Sequence, residues 1–258
     1  MPHTRITETR REFLETTTAT ALAGSLVGTS SGDEQKPPAG KPRPKKRIAI
    51  ITTLWAYLRH GQHIGDRFLV GYPHEGDWHE PGVEVVSAFV AQQPTASDQK
   101  VREKEFGFPQ GDLSAERARE FGFGLHKTIP DALRCGGKRL AVDGVVVIAE
   151  HVEYPTNAKG QKLYPRSEFF SQIVDVFRND GRSVPVFNDK HLSYSFKQAS
   201  RMVAASRELN FPMMAGSSLP VTWRMPEMEV PYGAEIEEAV VICGSRSLDS
   251  SGFHALEA

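Results

Sequence analysis

His60, His63 and Asp66 follow one another as H-x2-H-x2-D. On a helix, three-residue spacing brings side chains to one face, and two imidazoles with a carboxylate are donors suited to a divalent transition metal. Glu150 or His151, just beyond an apolar β-branched run, would complete such a set from a neighbouring strand end. The competing reading of these histidines is surface placement or phosphate contact. A second group, Asp189, Lys190 and His191, follows another apolar run. In extended backbone, neighbours point to opposite faces, so Asp189 and His191 are expected on one side and Lys190 on the other. His254 carries the side chain whose ordinary pKa, about 6.5, suits general acid–base work near neutrality. A structural hydrogen bond at a helix start is its alternative.

The elements that must position these groups are legible from periodicity. Residues 47–53, 83–90, 142–149, 184–187 and 212–215 are short apolar runs bounded by turn residues, and they predict buried strands. Between them, residues 114–121, 129–133, 165–179 and 195–209 predict helices. In 165–179, Phe169, Phe170, Ile173, Val174 and Phe177 recur at helical spacing, with Gly181 beyond the end. Strands alternating with helices predict an α/β protein, a Rossmann-like doubly wound parallel sheet. Ligands then lie beyond the carboxyl ends of the strands, which directs attention to 52–66, 150–155, 188–192 and 216–220. Residues 235–244 predict a further strand outside this series, and 252–257 the opening of a helix. The expectation is a Rossmann-like domain over 47–222 and the start of a second α+β domain over 223–258, truncated where the chain stops.

The first 46 residues have another character. Arg10-Arg11 precedes Phe13-Leu14 and then a charge-free stretch rich in Ala, Thr and Gly. That order predicts a bacterial twin-arginine signal over 1–32, followed by a Pro- and Lys-rich linker over 33–46. The expected partner is the twin-arginine translocase, and the expected location is the periplasm or the exterior. The apolar stretch is too short and polar to span a hydrocarbon core of about 30 Å. A net charge of −1 over 258 residues, with no basic stripe beyond the linker, argues against nucleic acid as a partner. The two cysteines, Cys135 and Cys243, have no spacing that demands a disulfide.

Three passages, in order, carry a resemblance to a known family. Ala118 to Gly122 (AREFG), Ile129 to Leu133 and Val142 to Ile148 are similar to an "A-x-x-F-G … D-x-x-x-L … V-D-A-V-x-I" passage. Val186 to Leu192 (VFNDKHL) is similar to "V-x-x-E-K-P-L", and Ser247 to Glu257 to "L-x-D-x-G-x-H-x-x-D". Together they resemble the Gfo/Idh/MocA family of NAD(P)-dependent oxidoreductases. The resemblance implies NAD or NADP as cofactor and a small-molecule substrate, a sugar or polyol. It implies that Lys190 approaches the nicotinamide and the reacting hydroxyl, with His254 near the reacting carbon. The departure is in the first strand-to-helix turn, where residues 52–66 hold no GxGxxG and place bulky Leu54 and Trp55 where a pyrophosphate would approach. Thr52, Thr53, Gly61, Asp189 and His151 remain as candidate cofactor contacts. Two alternatives stay open: a cofactor-less binding or structural protein on the same fold, and a metal-dependent hydrolase or isomerase using His60, His63 and Asp66. Oligomerisation is left open, since the family's oligomer surfaces lie largely beyond this chain.

Overall fold

A computed structural model describes residues 44–94, 104, 107, 111–217, 219, 225–227, 230–242, 244 and 252–257. The expected signal and nearly all of the linker, together with Trp223 and Cys243, lie outside them. The chain divides into two units, one of residues 44–220 with 243–258, the other of 1–43 with 221–242.

The larger unit is built on a six-stranded sheet. In chain order its strands are β1 (Lys46–Thr52), β4 (Val83–Val90), β5 (Gly124–His126), β6 (Gly144–Ile148), β7 (Val186–Asp189) and β8 (Met213–Gly216). A hairpin of β2 (Tyr72–His74) and β3 (Asp77–His79) stands apart. The sheet order is β5-β4-β1-β6-β7-β8, every pairing parallel. Counting only sheet strands, this is the 3-2-1-4-5-6 order of the Rossmann fold, whose direction of winding reverses between β1 and β6.

Strand residues alternate between two cores, as the pleat requires. Ile48 and Ile50 of β1, with Val146 and Ile148 of β6, pack on one face against Trp55, Phe123 and helices α1 (His60–Val70) and α2 (Ser114–Phe121). Ala49 and Ile51, with Val145 and Val147, face the other way. There they meet α3 (Ile129–Arg134), α4 (Arg166–Asp180) and α5 (Phe196–Glu208). The central strands are therefore apolar on both sides, which is why they read as continuous runs. The five phenylalanine and aliphatic positions expected to form the buried stripe of α4 are all buried. Gly181 closes that helix in the left-handed conformation at φ +66°.

Helix α1, the β2–β3 hairpin and strand β5 were not anticipated. Helix α1 begins without a side-chain cap or an acidic residue in its first turn. It depends on close packing instead. A Cβ on Gly61 would stand 2.1 Å from the Leu54 carbonyl oxygen, and one on Gly65 2.5 Å from the Trp55 ring. The hairpin turns at Glu75-Gly76, both with positive φ (+51° and +86°), the conformation of a primed two-residue turn. Strand β5 has only three residues. The strand expected over 235–244 does not form among the described residues: 235–242 pair with no neighbour, and Ile236, Val240 and Ile242 are exposed. High β-propensity is insufficient without a partner to complete the ladder. In the smaller unit the described residues contain a turn closed by Ala234 N–H donating to the Pro231 carbonyl, and no helix or strand.

Candidate functional site

The carboxyl ends of β1, β6 and β7 lie side by side and gather the polar groups of the sheet. The threonines at the end of β1 set the frame. Thr52 Oγ1 donates to the Ile148 carbonyl at 3.0 Å, and Thr53 Oγ1 donates to that of Glu150. Both residues are fully buried, so their hydroxyls tie β1 to the segment after β6. That segment then turns sharply: His151 and Val152 are left-handed, at φ +71° and +64°. For β-branched Val152 this is a strained backbone, of the kind that collects at functional sites.

Glu150 is the centre of the arrangement. It is 3% exposed, and its Oε1 accepts from Lys190 Nζ at 2.5 Å while Arg166 Nη2 approaches Oε2 at 3.5 Å. Burial favours the neutral carboxyl, but the Lys190 ammonium opposes it more strongly in sum with the neighbouring groups, and the pKa lies below the ordinary carboxylate value. Lys190 is itself left-handed (φ +59°) and 4% exposed. This conformation breaks the expected alternation. Asp189 reaches His60, with Oδ2 2.6 Å from Nδ1, while His191 Nε2 lies 3.3 Å from Arg166 Nη1. Arg166, at the start of α4 and 1% exposed, sits over the Tyr164 ring at 5.0 Å. It was missed from sequence. An arginine opening an otherwise amphipathic helix is its only local signal.

The histidine cluster separates in the structure. His60 is at the site, 3.9 Å from Glu150 Oε2, with its ring 5.0 Å from that of His151. Burial pushes the His151 pKa down to about 3, against the pull of Glu150. His63 is exposed, and Asp66 accepts from Trp55 Nε1 at 2.9 Å and from Arg117. These three residues therefore do not make one metal site, because Asp66 is committed to the buried indole. Glu150 and His151 take the places beside His60. Gly61 is likewise closed to a ligand, since the Leu54 carbonyl occupies the space its missing side chain leaves.

Helix α6 (Phe253–Glu257) brings the last candidate to the edge of the same region. His254 Nδ1 is 3.1 Å from Ser217 Oγ, and Glu257 accepts from Ser217 N–H at 2.8 Å and from Ser217 Oγ at 2.5 Å. Burial, then the charge of Lys190, lowers the His254 pKa. A cavity of about 320 Å³ lies between α6 and the ends of β7 and β8, lined by Lys190, Gly216, Phe253 and Glu257 among others. Chemically, the site offers a fixed ammonium, two buried carboxylates and four imidazoles at one mouth of the sheet.

No protein-family model and no curated protein matches the chain. Solved structures similar to it include myo-inositol 2-dehydrogenase from Lactobacillus plantarum, at 17% identity and TM-score 0.37 over 67% of this chain and 36% of that one. GenD2 from gentamicin A biosynthesis, in complex with NAD, is similar at 16% identity and TM-score 0.40, over 74% of this chain and 37% of its own. The chain spans little more than a third of the length of the solved chains it matches. An oxidoreductase from Vibrio cholerae is similar at 14% identity and TM-score 0.35 over 67% and 38% of the two chains, and it belongs to the Gfo/Idh/MocA family, the one this sequence resembles around Lys190 and His254.

Proposed function

We propose that this chain is the nucleotide-binding part of an exported NAD(P)-dependent oxidoreductase acting on a hydroxyl or carbonyl group of a sugar or polyol. The observation that carries the reading is Lys190. It is buried, held in a left-handed conformation and paired with Glu150 at the carboxyl ends of the central strands, where a Rossmann-like sheet receives its ligand.

The crevice suits the reacting end of such a cofactor, for Lys190 lines the cavity of about 320 Å³ at the ends of β7 and β8. The phosphate end departs from the usual glycine turn, because Leu54 and Trp55 are buried there. The amino end of α1, with Arg59 at its N-cap, is the positively polarised feature that remains for it. A bound nicotinamide supplies the hydride acceptor or donor. Lys190 exchanges a proton with the substrate oxygen, Glu150 orients the ammonium, and Arg166 holds Glu150 in place. His254 stands as a second acid–base group across the cavity.

In a thermal-shift titration, NAD or NADP is expected to stabilise the full chain, since a ligand that binds only the folded state must raise its melting temperature. Lys190→Ala is expected to retain that shift while losing about 10²–10⁴-fold in kcat on a sugar or polyol that the wild type turns over. Absence of any shift with either nucleotide would overturn the reading. It would select the alternative favoured by the filled turn at Leu54 and Trp55, a binding protein that keeps the fold without the cofactor.

Export rests on Arg10-Arg11 and the apolar stretch that follows. Residues 1–46 fused to a folded reporter are expected to carry it across a bacterial inner membrane, and Arg10→Lys/Arg11→Lys to retain it inside. Equal export of both fusions would remove the twin-arginine route.

A further inference from the structure

We propose that His60, Glu150 and His151 bind one divalent transition-metal cation, Zn²⁺ by donor type, at the carboxyl end of β6. Each of the three offers a ligand atom, and these atoms all lie within 4.8 Å of one another. Two imidazole nitrogens and one carboxylate oxygen are a borderline-soft donor set, and three protein ligands with a fourth position open is the form of a reactive zinc centre. Bonds of about 2.0–2.2 Å to a shared tetrahedral ion place ligand atoms about 3.4 Å apart, so the widest pair closes by up to about 1.4 Å on binding. The site goes beyond the oxidoreductase reading, and cation binding can be read without any nucleotide.

Three further observations point to this place. His151 Nε2 is buried and has no hydrogen-bond partner, a condition that a folded protein normally removes with a bond, a water or an ion. The backbone that presents His151 is left-handed at two successive residues, and such strain persists where the surroundings hold a functional geometry. His60 Nδ1 is hydrogen-bonded to Asp189 at 2.6 Å. A carboxylate behind an imidazole fixes its tautomer and raises its basicity, as behind metal-ligating histidines. Oε1 of Glu150 stays with Lys190, while Oε2 is no closer than 3.5 Å to Arg166 and lies 3.9 Å from His60 Nδ1; with Nδ1 bonded to Asp189, Nε2 is the nitrogen His60 offers the ion.

The test uses the full chain, stripped with a chelator and titrated calorimetrically with Zn²⁺, with Co²⁺ as a spectroscopic probe. One equivalent is expected to bind, and Co²⁺ to show the visible absorption of a four-coordinate ion. His151→Ala is expected to weaken Zn²⁺ binding more than tenfold, and Asp189→Asn about 10–100-fold. The pair of exposed His74 and half-buried His79, whose rings lie 5.4 Å apart on the hairpin, is the rival site. His74→Ala/His79→Ala is expected to leave the affinity unchanged. Failure of the wild type to bind would overturn the proposal, as would loss of binding in the hairpin variant with retention in His151→Ala. The Co²⁺ spectrum of the wild type keeps the test decisive even where a variant folds poorly.

Discussion

Glu150→Gln is expected to destabilise the protein by about 3–5 kcal/mol, the cost of leaving buried charge uncompensated. The substitution keeps the shape and removes the charge, so Lys190 (4% exposed) and Arg166 (1% exposed) lose the carboxylate between them. Neither cation has water to turn to, and desolvation is the dominant cost at such a site. The measurement is urea-induced unfolding of wild type and variant, monitored by tryptophan fluorescence and far-ultraviolet circular dichroism. Lys190→Met/Glu150→Leu is expected to recover part of the loss, because an apolar pair costs less to bury than a broken ion pair. Recovery stays incomplete, since Arg166 has lost the Glu150 carboxylate. A coupling energy near zero in the double-mutant cycle would show that Glu150 and Lys190 do not form a buried pair.

Trp55→Ala is expected to cost a similar amount, about 3–5 kcal/mol, for a different reason. The indole is fully buried, stacks on Phe123 with centroids 5.6 Å apart, and fills the space over Gly65. Removing it opens a cavity between the β1–α1 turn and α1, the helix that has no capping side chain of its own. Trp55→Phe keeps most of the volume and loses the Nε1 bond to Asp66, so about 1 kcal/mol is expected. Arg117 remains on that carboxylate. The two variants, compared by thermal and urea unfolding, separate packing from hydrogen bonding. Near-equal losses would show that the hydrogen bond, and not the cavity, dominates.

The same tryptophan explains why the first turn is not a glycine-rich one. In a dinucleotide fingerprint the glycines let backbone approach phosphate. Here Gly61 and Gly65 let α1 approach Leu54 and Trp55. Two glycines four apart in sequence are compatible with either use, and only the tertiary packing decides which surface lies against them.

Legibility in the sequence followed the source of each element's stability. Strands β1, β4, β6, β7 and β8 and helices α2 to α5 were readable because their own residues carry the burial pattern that holds them. Helix α1 and strand β5 were not, because neighbours hold them: α1 through the glycine contacts, and β5 through its pairing with Ser87, Ala88 and Phe89. Residues 235–242 erred in the opposite direction, apolar enough for a strand but without a partner among the described residues.

The site divides along the same line. Sequence by itself determined that polar and ionisable residues follow the apolar runs, and so that Glu150, His151, Asp189 and Lys190 would stand at strand ends. Burial periodicity is a property of residue order, and a parallel sheet puts all such ends on one edge. Tertiary structure alone decided the partnerships. His60 meets Asp189 across 129 positions and Lys190 meets Glu150 across 40, because β1, β6 and β7 are neighbours in the sheet. It also decided that Asp66 belongs to Trp55 and Arg117, since a buried indole donor must be satisfied wherever the packing leaves it and the half-buried Arg117 reaches the same carboxylate.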